Sequence, residues 1–322
     1  MFHNKPRCLV VGNYCHDVLI KDDVIIAESL GGAASFISAV LDGLNIPAHY
    51  VSKVGSDFAY KSVNHQPIQS TSSKTTTFHA FFSSKFVTQD RILKRVVSCD
   101  PIYPRDLPEG PFHYGLAVGV GGEILPETLG KMIEICKYVF VDIQALIREF
   151  ECEDGTVMLV PLKDSGFYDL VPKLAVIKAS GEEARFLDVE EVRNRCCVVV
   201  TNGKQGCEVC WKDNEEVILP FSTIQVDPTG AGDSFLGGLV GGVVEGFSVP
   251  DAALLGNLFG SLTVAHIGLA NFDSKLLQRV KDEVQARTNH QQTHSLQFFK
   301  SASHQQFHAA LSAARITTLQ PK

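Results

Sequence analysis

From about residue 112 onward, short β-rich apolar runs alternate with stretches of helical periodicity, and this alternation narrows the fold more than any other feature of the chain. Residues 113–118, 138–143, 175–178 and 197–201 read as strands, and 126–136, 181–187, 231–245 and 251–266 as helices. Residues 206–211 and 216–220 read as a hairpin. Parallel strands need long crossover connections, which helices supply, so the alternation predicts a mostly parallel sheet with helices on both faces. Such sheets bind ligands beyond the C-terminal ends of their strands. Upstream, 8–11 is a buried strand opening into Gly12-Asn13, 18–26 a hairpin broken at Lys21-Asp22-Asp23, 33–43 a helix and 49–54 a strand. Residues 61–74 are a polar loop, and 75–82 and 86–97 alternate β-branched and aromatic residues as two strands with one exposed face.

Composition removes several classes of function. The 322 residues suffice for one large α/β domain or two small ones. A net charge of −7 leaves no basic footprint for nucleic acid. Nine cysteines without framework spacing, and no signal pattern after Met1, point to free thiols in a reducing, cytoplasmic compartment. Cys207 and Cys210 form a CxxC with no second ligand pair, which reads as strand packing rather than zinc. The run 252–272 has no Asp, Glu, Lys or Arg, but Gly256, Asn257, Gly260, Thr263, His266 and Gly268 interrupt it. It reads as a buried helix of a globular protein, not a membrane span. Residues 288–322 are rich in His and Gln and poor in core formers, so a loosely ordered tail is expected after a domain at 1–287.

The chemistry concentrates at Asp227-Pro228-Thr229-Gly230-Ala231-Gly232-Asp233, which runs directly into an apolar helix. A helix N-terminus carries unpaired N–H donors and a partial positive charge, so Gly230, Ala231 and Gly232 make an anion hole. Asp233 puts a carboxylate at the same point. A plain N-cap would explain Asp233 alone, but needs no preceding Gly-Ala-Gly. A carboxylate beside an anion hole makes sense when a hydroxyl sits between them and loses its proton as a phosphoryl group arrives. Gly119-Val120-Gly121-Gly122, with Asp142 downstream, imitates a dinucleotide fingerprint, but Ile124 stands where the third glycine belongs.

The 227–233 stretch resembles the Asp-Thr-x-Gly-Ala-Gly-Asp signature of the PfkB, or ribokinase-like, carbohydrate kinases, with Pro228 in place of Thr. Further matches occur in order: Gly12 to Asp17, Gly31-Gly32-Ala33-Ala34, Val54-Gly55-Ser56-Asp57, Lys178 to Glu183, and Thr201-Asn202-Gly203 with Gly206. The resemblance covers roughly residues 7 to 285 and implies a three-layer α/β/α sandwich with a small β-sheet lid from about 18–28 and 75–98. Within the family, Gly12 to Asp17, Gly31 to Ile37, Val141 to Arg148 and Lys178 to Arg185 are most similar to the plant members that phosphorylate myo-inositol to inositol 3-phosphate with ATP.

The same resemblance implies roles for particular residues. Asp233 is the catalytic base over the Gly230, Ala231, Gly232 anion hole. Asp17, Gly31, Gly32 and Asp142 bind the substrate, and Thr201, Gly203, Gly206, Asn257, Gly260 and Gly268 border ATP. Glu183 organises Mg²⁺ through water. Phe36 stands where the family usually has Asn, and Ser180 replaces Asn in Asn-x-x-Glu. A polyol and ATP are the expected partners, with no nucleic acid and no membrane; a homodimer stays open. Another sugar or nucleoside kinase, and a non-catalytic scaffold, are the alternatives.

Overall fold

The computed structural model describes residues 7–82, 91–288 and 295–316. They form two compact units, one of Arg7–Ser35 and Ala48–Asp188, the other of Phe36–Pro47 and the chain from Val189. The chain opens with β1 (Cys8–Val11), β2 (Cys15–Lys21) and β3 (Val24–Gly31). Helix α1 (Ala33–Gly43) continues from the first unit into the second. The first unit resumes with β4 (Ala48–Val51), β5 (Lys53–Val54), β6 (Ile68–Gln69), β7 (Thr76–Phe82), β8 (Ile92–Val97) and β9 (Phe112–Ala117). It closes with α2 (Pro126–Ile135), β10 (Cys136–Asp142), α3 (Gln144–Ile147), β11 (Arg148–Phe150), β12 (Val157–Leu159) and β13 (Val176–Ser180).

In the first unit, β13, β10, β9, β1 and β4 lie side by side in that order, each pair parallel. All four residues of β1 are buried, as a strand covered on both faces requires. Helix α2 starts at Pro126, whose fixed φ suits a first helical position, and buries Thr128, Leu129 and Met132. A second sheet in this unit has the order β3-β2-β7-β8. Its edge strand β3 leaves Val24, Ile25 and Ile26 more than half exposed. Half of the expected strand 86–97 is seen as β8; residues 83–90 lie outside the described residues.

The second unit holds α4 (Val189–Val192) and the antiparallel strands β14 (Cys197–Thr201), β15 (Cys207–Trp211) and β16 (Asn214–Ile218). Four helices follow: α5 (Ala231–Val244), α6 (Val249–Thr263), α7 (Ser274–Arg287) and α8 (His304–Ile316). Helices α5 and α6 are almost wholly buried and meet at bare backbone. A Cβ on Gly238 would lie 2.6 Å from the Leu255 carbonyl oxygen, and one on Gly242 would lie 2.7 Å from Ala252 Cβ. Side chains there would hold the helices apart, so Gly238 and Gly242 serve packing. The apolar run within 252–272 is thus explained by burial, and no helix among the described residues is long and apolar enough to cross a membrane.

Helix α7 lies where the sequence reading assigned no element, and α8 where it expected a loose tail. Asp273 caps α7 by accepting from Leu276 N at 2.8 Å, and Leu276, Val280 and Val284 are buried at helical spacing. The segment expected as a loose tail contains α8, with Phe307 and Leu311 buried. Its few apolar residues are spaced to face one way, which composition alone conceals. All nine cysteines are free thiols, and those of the CxxC are packed into β15.

Candidate active site

The Gly-Ala-Gly-Asp segment folds as its sequence requires. Gly230 is the N-cap of α5 at φ +74°, and a Cβ there would run into the Phe36 ring, so only glycine fits. The first full-turn bond is Ser234 N to Gly230 O at 2.8 Å. The amides of Ala231, Gly232 and Asp233 therefore precede the helical ladder; that of Ala231 also reaches Pro228 O at 3.3 Å. Asp233 sits in the first turn, where the helix dipole favours its carboxylate form. Asp227, first in the motif, accepts from Thr229 N and Oγ1 through Oδ1. Its Oδ2 is buried without a hydrogen-bond partner.

Beside this helix end the second unit has a cavity of about 380 Å³. Ala231 and Gly232 form part of its wall together with Thr201, Gly203, Gly206, Asn257 and Gly260. Gly268, at φ +70°, and Gly230 are not among its lining residues. Three apolar residues missed from sequence, Phe221, Phe235 and Val264, add flat hydrophobic wall. Asn257 has a structural task here: its amide donates to the carbonyls of Ile218 and Leu219 at 3.2 and 2.9 Å, fixing the segment that leads into Phe221. Phosphate donors at one end and apolar wall elsewhere suit a nucleotide.

In the first unit, Asp17, Gly31 and Gly32 come together. Any Cβ on Gly31 would overlap the Asp17 carboxylate, and Gly32, at φ +85°, lies against the Asn13 carbonyl. Burial first, then the charges of Asp17 and Glu28, push the Tyr60 phenol up to about 12, so it keeps its proton. The glycine-rich turn after β9 has a use that its sequence did not suggest. Buried Glu123 accepts from the amides of Asn13, Val120 and Gly121, at 2.9, 3.2 and 2.7 Å, tying that turn to the loop that leads into β2, the strand of Asp17.

Asp142 departs from expectation: it is wholly buried rather than facing an open site. The parallel register sets Asp142 beside Lys178, and their side chains form a buried ion pair at 2.9 Å. Glu183 Oε2 accepts from both Ser180 N and Ser180 Oγ at 2.8 Å, so Ser serves where the family has Asn. Burial alone would raise the Glu183 pKa, but Lys178, Arg148 and the Ser180 bonds outweigh it and hold it below the usual carboxylate range. No cluster of three or more His, Cys, Asp or Glu side chains suited to a metal occurs among the described residues. An ionised Glu183 has the chemistry to hold Mg²⁺ through water, which that ion sheds reluctantly.

Comparison with known proteins agrees with this chemistry. The pfkB family carbohydrate kinase model matches residues 157–276. The chain is 56% identical to inositol 3-kinase of Arabidopsis thaliana, over 98% of this chain and 90% of that protein. It is 47% identical to inositol 3-kinase of Oryza sativa subsp. japonica, over 98% of this chain and 83% of that protein. Among solved structures it resembles a sulfate complex of a pyrophosphate-dependent kinase in the ribokinase family, with TM-score 0.71 and 18% identity over 81% of this chain and 96% of that one. At that identity the likeness establishes the fold, an α/β ribokinase fold with a mostly parallel sheet and a small second sheet.

Proposed function

The chain belongs to the pfkB family of carbohydrate kinases and is a phosphotransferase with an alcohol acceptor; from that premise we propose that the acceptor is myo-inositol, the product inositol 3-phosphate and the donor ATP. The observation that carries the acceptor is the 56% identity to an inositol 3-kinase along 98% of the chain. The donor reading draws its support from the apolar wall of Phe221, Phe235 and Val264 beside the amides that open α5.

In this reading Asp233 accepts the proton of the attacked hydroxyl while that oxygen bonds to the γ-phosphorus and ADP leaves. Asp233 is a weak base at a helix N-terminus, which suffices because phosphoryl transfer depends mostly on alignment and charge stabilisation. The amides of residues 230–232 meet the charge of the transferred group; losing one comparable donor elsewhere costs on the order of 3 kcal/mol. Asp17 accepts hydrogen bonds from ring hydroxyls, and Gly31 and Gly32 let the backbone approach the polyol. Asp142 acts through Lys178 rather than on substrate. Mg²⁺, when bound, neutralises donor phosphate charge, and Glu183 would hold it through water. Nine free thiols favour a reducing, cytoplasmic setting.

The test is a donor-by-acceptor matrix read as phosphorylated product. ATP or pyrophosphate is paired with myo-inositol, ribose, fructose or adenosine. Turnover with ATP and myo-inositol, and phosphate at the 3-hydroxyl by NMR, is expected. Efficient use of a sugar or nucleoside with inositol inert refutes the acceptor, and turnover with pyrophosphate alone refutes the donor.

A further inference from the structure

We propose that His308, on the C-terminal helix and outside the region matched by the family model, positions the wall against which the donor's nucleotide base packs. The proposal rests on the reading of the 380 Å³ cavity as a nucleotide site.

The wall is the segment after β16. Pro220 and Phe221 line the cavity, and no strand among the described residues pairs with the chain there. Two side groups hold it instead. Asn257 grips the carbonyls of Ile218 and Leu219 from α6. From α8, His308 Nε2 bonds Pro220 O at 3.1 Å, and its ring stacks on Phe221 at 4.6 Å between centroids and 28° between planes. A carbonyl oxygen can only accept, so Nε2 carries the hydrogen. One ring therefore sets both the height of the backbone and the tilt of the aromatic face.

This ring is itself carried on a firmly docked helix. Leu311 and Phe307 are buried, and Phe307 packs edge-on against Phe247 at 5.2 Å. At the start of α8, His304 Nδ1 meets Asp251 Oδ1 at 2.6 Å in a buried pair. The irregular segment before α8 is anchored too: Val249 N donates to Gln297 O at 2.7 Å, and Phe298 stacks on Trp211 at 4.5 Å. A site element built on a rigid helix holds its geometry better than one left to a loop.

The two ends of the donor then depend on different parts of the second unit. The phosphates face the amides of α5, whereas the base meets a surface set from α8. Loss of His308 must weaken recognition of the base and spare that of the phosphates. Full-length His308→Ala should raise the KM for ATP and the Ki of adenosine by about tenfold, the worth of one hydrogen bond plus one ring contact. kcat, the KM for inositol and the Ki of tripolyphosphate should stay within about twofold, because no phosphate contact changes. His308→Phe keeps the stack and His308→Gln keeps a donor; each should recover part of the loss, and together they replace the Ala variant if it fails to fold. An unchanged KM for ATP, or equal losses for adenosine and tripolyphosphate, overturns the proposal. Failure of the underlying reading looks different: the unaltered protein would show no saturation by ATP and no inhibition by adenosine.

Discussion

Replacing Gly238 by Ala sets two effects of opposite sign against each other. Helix propensity favours Ala by about 1 kcal/mol in an open helix. At position 238 the new methyl would lie 2.6 Å from Leu255 O, 2.8 Å from Leu255 C and 2.9 Å from Gly256 N, all backbone atoms that cannot rotate away. Ordinary contact begins near 3.5 Å, so α5 and α6 must part by roughly 1 Å. Overpacking of this kind costs about 1–3 kcal/mol, enough to cancel or exceed the propensity gain. Gly130, inside α2, is the control, because a Cβ there meets nothing within 4 Å. Urea unfolding should show Gly130→Ala more stable by up to about 1 kcal/mol and Gly238→Ala less stable by about 1 kcal/mol. Since α5 opens with Ala231, Gly232 and Asp233, its displacement should also lower kcat, for misplacement by about 1 Å can cost a hundredfold. If Gly238→Ala gains as much stability as Gly130→Ala, the close helix contact is not what keeps glycine there.

Asp233→Asn should bind ATP normally in calorimetry and lose turnover by on the order of 100-fold or more; retention of most of the rate removes Asp233 from the base role. Lys178→Met strands the buried Asp142 charge and should destabilise by about 3–5 kcal/mol in urea, with the double variant Asp142→Asn/Lys178→Met recovering part of it. Burial would raise the Asp251 pKa, but the bonds from His304 and Ser301 outweigh it and hold it below the usual 3.8. Its contribution to stability is therefore complete above that value and lost as pH falls through the folded-state pKa. Asp251→Asn should flatten the acid limb of the stability profile, and an unchanged limb refutes the assignment.

The alternation after residue 112 and the 227–233 motif were legible because both are local signals. A strand–helix rhythm is read within one window, and Gly-Ala-Gly-Asp announces its own helix end. The pairing of Asp142 with Lys178 was not, because only the parallel register of β10 and β13 brings them together. Phe221 escaped notice as one apolar residue in a loop, its meaning supplied by α6 and α8. The His/Gln-rich composition of the C-terminal stretch masked the spacing of Phe307 and Leu311. Glu123 sat in plain view after a glycine-rich turn whose amides bind its carboxylate and not a cofactor.

The ring of Phe36 occupies the space that any side chain at position 230 would need. The two positions are thus packed as one unit. A smaller residue at 36 opens a void under the αL turn, yet glycine is still required at 230, because φ there is +74° whatever fills the space. Phe36→Asn alone therefore leaves the turn its glycine but removes the ring packed beneath it, so what it takes away is stability and not room.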